Sequence, residues 1–223
     1  MDTMSVSKAS RLFWLGRYYE RVATTLAYLW SWYDKMIDGS PIDYAAFCSA
    51  LEIGCDYESA EDFMRRYVFD GSNPESLRAC ADAMLGNGMM LRETIGSRTL
   101  AYLELAVGAL ESGKDSTNPT LPLQRVIDWI MAFRGSYDDC IGDENVRNII
   151  KCGAGVERLS LYLRLAWRTE LITPEIGKLL KRMNRTSLAP SPDALRLLLT
   201  VPTEIPPEEY ASVLDAVETL FRL

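Results

Sequence analysis

The side chains best suited to joint chemistry in this sequence are two glutamates, Glu20 and Glu157, each followed directly by an arginine, Arg21 and Arg158. Both pairs stand at the same distance after a glycine, Gly16 and Gly153. An arginine fork recognises carboxylate or phosphate bidentately, and a desolvated glutamate can act as an acid or a base. Around the first pair, Arg11, Trp14 and Arg17 add two more guanidinium groups and an indole, with Tyr18 beside them. An aromatic wall with arginines stacked on it is suited to an anion or a peptide. Arg92 is a further candidate, for which an ion pair with the adjacent Glu93 competes. The candidate catalytic residues are therefore Glu20 and Glu157, and the candidate substrate-binding residues are Arg11, Trp14, Arg17, Arg21, Arg92 and Arg158.

The chain has no histidine. That removes Ser-His-Asp and Cys-His nucleophile activation, imidazole acid–base chemistry, and the Glu-x-x-His ligands of helical di-iron sites. Five cysteines, at 48, 55, 80, 140 and 152, form no C-x-x-C pair and read as small buried apolar residues in a reducing compartment. The acidic turn with Asp138, Asp139, Asp143 and Glu144 has oxygen ligands suited to Mg²⁺ but no EF-hand spacing. Such residues also complement the dipole of a following helix, so no metal site is assigned.

These residues need elements to hold them, and the periodicity is helical almost throughout. From Ser7, apolar residues recur at Leu12, Phe13, Leu15, Tyr19, Val22, Leu26, Leu29 and Trp30, predicting one helix over about 7–37. Further helices are expected over about 42–53, 58–68, 74–95, 97–110, 121–138, 144–170, 192–200 and 207–221, with a short one restarting at Thr173 and Pro174. Asn73 is expected to cap the helix beginning at Pro74, with Ser76 completing its first turn. No period-2 strand stands out, so the class is all-α, a bundle of about seven to nine helices. The chain reads as one domain over 1–223, with an internal boundary at the polar loop 111–120 and a helical tail over 190–223.

LFWLGRYYERVATTLAYL from Leu12 aligns with IIKCGAGVERLSLYLRLA from Ile149, a weak GxxxER repeat in two long helices. On a helix Arg17, Glu20, Arg21 and Thr24 share one stripe. Antiparallel packing of the two helices would bring Glu20, Glu157, Arg21 and Arg158 into one cluster. That cluster is either an interhelical salt bridge that fixes register or the lining of a cleft.

The same segments carry a family resemblance. SRLFWLGRYYERVATTLAYL (10–29), NPESLRACADAMLGNGMMLRETIGS (73–97) and GAGVERLSLYLRL from Gly153 resemble, in order and spacing, the signatures of the bacterial alpha-E family. The second copy departs from the pattern, with Ala154 in place of arginine and Gly155 in place of an aromatic. The resemblance implies an all-helical protein whose genes commonly accompany a circularly permuted ATP-grasp ligase, and often a transglutaminase-like protein. It implies a role in making or modifying peptides through amide bonds.

With 24 Lys+Arg against 31 Asp+Glu, the net charge of −7 argues against nucleic-acid binding. The N-terminus has no hydrophobic signal core and no apolar stretch approaches a membrane span, so a cytoplasmic protein is expected. There is no GxxxxGK[ST] and no GxGxxG, so no intrinsic cofactor is expected, and ATP-Mg would enter only through a ligase partner. Three readings follow: a helical subunit that positions a peptide or amino acid for such a ligase, a stand-alone enzyme using the Glu/Arg cluster on an acyl or amino-acid substrate, and a scaffold module.

Overall fold

No glycine or proline interrupts the chain between Arg17 and Ile37, and the result is one helix, α1, over Val6–Ile37. The structure, a computed structural model, describes residues 4–114, 116 and 120–223, and for 33, 34, 36 and 37 the backbone alone. Among the described residues there are eleven α-helices and no strand. The remaining helices are α2 (Tyr44–Leu51), α3 (Ala60–Phe69), α4 (Leu77–Met90), α5 (Arg92–Ile95), α6 (Ser97–Gly113), α7 (Thr120–Cys140), α8 (Glu144–Arg164), α9 (Ile172–Met183), α10 (Pro192–Thr200) and α11 (Tyr210–Glu218).

The chain divides into two units: residues 1–20 with 142–223, and residues 21–141. In the first, α8 is the central helix, buried almost continuously from Asn148 to Leu163. It packs on α9 and α11, and α11 also packs on α10. The tail belongs to this unit: Ser191 N donates to the Leu220 carbonyl at 2.8 Å, and the Phe221 ring meets that of Phe13 at 5.5 Å.

The second unit is built on an aromatic cluster. Phe63 of α3 stacks on Tyr67 at 5.2 Å and on Tyr44 at 5.6 Å, and Phe47 of α2 meets Trp32, Phe63 and Tyr67 at 5.3–5.6 Å. Edge-to-face and offset pairs of this kind add to the area each ring buries. α6 and α7 lie antiparallel, tied by the Thr99–Ser136 hydroxyl bond at 2.9 Å and by Tyr102 stacked on Trp129. The loop expected as an internal boundary joins these two helices, and its residues 115 and 117–119 lie outside the described ones.

The helix expected over 144–170 ends at Arg164, beyond which Ala166 and Arg168 take positive φ, and two further boundaries differ from expectation. Asn73 does not cap α4: its Oδ1 accepts from Glu75 N within a turn, and Ser76 is the cap, accepting from Ala79 N at 3.0 Å. Pro74 therefore lies in that turn rather than at the first helical position. The helix expected over 74–95 stops at Leu91, whose N–H is shared between the Asn87 and Gly88 carbonyls. Gly96, at φ 80° and ψ 149°, then takes the positive-φ extended conformation that separates α5 from α6, one that glycine adopts without strain.

Candidate functional site

The repeat glycines define where α1 and α8 meet. A Cβ on Gly16 would fall inside the Ile150 carbonyl oxygen and 2.9 Å from Ala154 N. A Cβ on Gly153 would fall inside the Phe13 carbonyl oxygen and 3.2 Å from Arg17 N. Phe13 and Ile150 are themselves equivalent positions of the repeat, so the two copies make reciprocal contacts about a local two-fold relation. Only glycine lets the backbones come this close.

Beyond the crossing, Glu20 meets Arg158 and Arg17 meets Glu157. The helices therefore run in the same direction. In an antiparallel pair Glu20 and Arg158 would lie on opposite sides of the crossing, about 13 Å apart along the axis at 1.5 Å per residue. The antiparallel expectation is corrected on this geometry.

The charged groups form two assemblies. Arg158 donates from Nε and Nη2 to the two oxygens of Glu20, both at 2.7 Å, and from Nη1 to Glu175 of α9, also at 2.7 Å. Lys178 closes that chain on the other Glu175 oxygen at 2.7 Å. In the other assembly, Arg17 Nε donates to Glu157 at 2.7 Å, and its guanidinium lies 4.9 Å from the centre of the Trp14 ring. Trp14 in turn meets Tyr18 at 5.5 Å. Glu20 and Glu157 are 2% and 1% exposed, while the Arg17 and Arg158 side chains are each 13% exposed.

Burial alone would disfavour the charge on Arg158, but the Glu20 carboxylate and then Glu175 reverse this and hold its pKa above the ordinary arginine value. Burial pushes the Glu175 carboxyl up, while the bonds from Lys178 and Arg158 pull it further down, leaving it below its usual 4.5. Each buried carboxylate thus has a guanidinium partner, as buried charge requires.

The other candidates are placed as follows. Arg11 and Arg21 are half-buried, Arg21 being the first residue of the second unit. Arg92, also in the second unit, is exposed, and its Nε donates to Ser97 at 3.1 Å, not to Glu93. Asp143 caps α8 by accepting from Asn145 and Val146 N–H groups, and Glu144 pairs with Arg185. The cysteine expectation is corrected in part: Cys48, Cys80 and Cys152 are buried, but Cys55 and Cys140 are exposed. Glu175 and Lys178 were not foreseen, because an acidic residue in a first turn reads as a generic dipole complement. Their signal is the i,i+3 spacing, which is common on surface helices.

A family described as a predicted alpha-helical domain with a conserved ER motif, Alpha-E, matches residues 4–189. The chain belongs to the Alpha-E family. Glu20-Arg21 and Glu157-Arg158 both fall within the matched span, and the Alpha-E match ends one residue before Pro190, where the tail begins. No curated protein and no solved structure matches the chain. Among the described residues, no helix of this Alpha-E chain is long and apolar enough to cross a membrane.

Proposed function

We propose that the chain is a non-catalytic helical partner of an ATP-grasp-type ligase, acting in peptide or amide-bond formation by positioning substrate or completing the ligase's site. The observation that carries the non-catalytic half is the state of the two glutamates: 2% and 1% exposed, each bonded to an arginine of the same chain. A general base needs reach to a substrate proton, and these carboxylates are committed to structural partners instead. The ligase half rests on the family resemblance, whose gene neighbours include a circularly permuted ATP-grasp enzyme. The absence of any phosphate-cradling motif in the sequence agrees with a chain that leaves ATP to its partner. The transglutaminase-like neighbour would act before or after the ligase on the same peptide.

The test is to co-express the chain with the adjacent ligase and measure complex formation and the ligase's rate of amide formation. A stable complex with a raised rate is expected. Failure to form a complex together with an unchanged rate overturns the reading. Turnover by the isolated chain that a folded Glu20→Gln variant loses would establish the stand-alone enzyme in its place.

A further inference from the structure

The repeat gives Arg17 a setting that its counterpart lacks. Nε is committed to Glu157, which fixes the plane of the guanidinium, and Trp14 supports it at 4.9 Å. Among the described residues no protein acceptor takes Nη1 or Nη2 of Arg17. Neither nitrogen is buried without a partner, so both reach the surface. The outer edge of the group is therefore a pair of parallel N–H donors already held in place.

The surroundings favour an anion with an apolar neighbour. Arg11, Trp14, Arg17, Tyr18 and Arg21 lie at three- and four-residue spacings along α1, and the carboxylate beside them, Glu20, is buried and bonded to Arg158. Trp14 and Tyr18 are half-buried, so each offers part of a ring beside the guanidinium edge. At the equivalent positions of α8 stand Lys151, Ala154 and Gly155, and Leu179 of α9 covers the last at 3.2 Å from where a Cβ would be. Packing at the helix crossing therefore does not call for the α1 set.

We propose that the Nη1/Nη2 edge of Arg17, flanked by Trp14 and Tyr18, is a binding site for the carboxylate of an amino acid or short peptide with an apolar or flat side chain. An end-on arginine fork matches the two coplanar oxygens of a carboxylate. The proposal rests on the substrate-positioning role for its biological meaning. The carboxylate held here is one that the ligase leaves unactivated, since its oxygens are occupied.

The experiment titrates the isolated full chain with N-acetylphenylalanine, with its primary amide, and with inorganic phosphate. It follows the Trp indole N–H signals by NMR, with Trp14 assigned from Trp14→Phe. Saturable binding of the acid that shifts the Trp14 signal is expected, with the amide and phosphate at least tenfold weaker. Arg17→Lys keeps the charge opposite Glu157 but loses the fork, and should weaken the acid at least tenfold. Trp14→Leu leaves every ion pair in place, should weaken it at least threefold, and carries the test if Arg17→Lys is unfolded by circular dichroism. No saturable binding, equal binding of acid and amide, tighter phosphate binding, or binding indifferent to the folded variants each overturns the site. A ligase complex that forms in the face of such a result keeps the partner reading and discards this one. A site that binds the acid when no ligase complex forms does the reverse.

Discussion

The two copies of the repeat share a backbone and differ in what they present. Gly16 and Gly153 do the same work, each admitting a carbonyl of the other helix. Glu20 and Glu157 are both sealed and both bonded to arginine, Glu20 to Arg158 and Glu157 to Arg17. Ala154 leaves the second copy without a counterpart of Arg17. Arg158 uses the nitrogen that Glu20 leaves to recruit Glu175 of α9. The second copy has thus become an interior helix covered on most sides, while the first keeps one half-open cationic and aromatic face. What the copies share is explained by the crossing, and the site proposed above is built on what only α1 keeps.

The comparison breaks most readily at the glycines. Gly16→Ala and Gly153→Ala each drive a methyl into backbone that cannot rotate away, and each should cost about 3 kcal/mol. In a chain of this size that lowers Tm by about 6–12 °C. Gly155→Ala meets only the Leu179 side chain and should cost far less. Equal melting temperatures for all three variants and the wild type would contradict the close crossing.

Glu20→Gln comes next. It removes the bidentate acceptor of a buried guanidinium that still keeps Glu175, so a loss of about 2 kcal/mol in urea denaturation is expected.

Glu175→Gln should cost less, about 1 kcal/mol, and its effect depends on pH. The folded carboxyl lies below 4.5, so its contribution is complete above that value and is lost as pH falls through the folded pKa. The difference in Tm between wild type and Glu175→Gln should therefore be full at pH 7 and close progressively below pH 4.5. A gap that widens on acidification would reverse the assigned sign.

The smallest effect sharpens the contrast without altering stability. Cys152 stands where the first copy has Leu15, and burial pushes its thiol up to about 12; burial, reinforced by the neighbouring Cys55 thiol, does the same for Cys48. Iodoacetamide at pH 8 should label Cys55 and Cys140 in the native chain and leave Cys48, Cys80 and Cys152 unmodified, read by peptide mass spectrometry.

The helices were legible because an uninterrupted 3.6-residue period, as from Leu12 to Trp30, has no other solution. The glycine and Glu-Arg pair at constant spacing pointed to a packed pair of helices and to the residues between them. Direction was not legible, because an amphipathic pattern reads the same for parallel and antiparallel neighbours. Gly16 and Gly153 mark a point of contact without saying which way the chains leave it. Nor was the role of Glu175, whose spacing to Lys178 is that of any surface pair until α9 folds over Arg158. The stop at Leu91 escaped notice because it carries no proline or glycine of its own, and Gly86 and Gly88 before it lie inside the helix.

On the proposed function, the Glu-Arg motif is architecture and recognition falls to the outer edge of Arg17. A double-mutant cycle on Glu20 and Arg158, using Glu20→Gln and Arg158→Met with urea denaturation of the full chain, tests this most directly. The account predicts a coupling energy of about 2 kcal/mol, with the folded Glu20→Gln variant still raising the ligase's rate as the wild type does. A coupling near zero, or a folded Glu20→Gln variant that no longer stimulates the ligase, would contradict it.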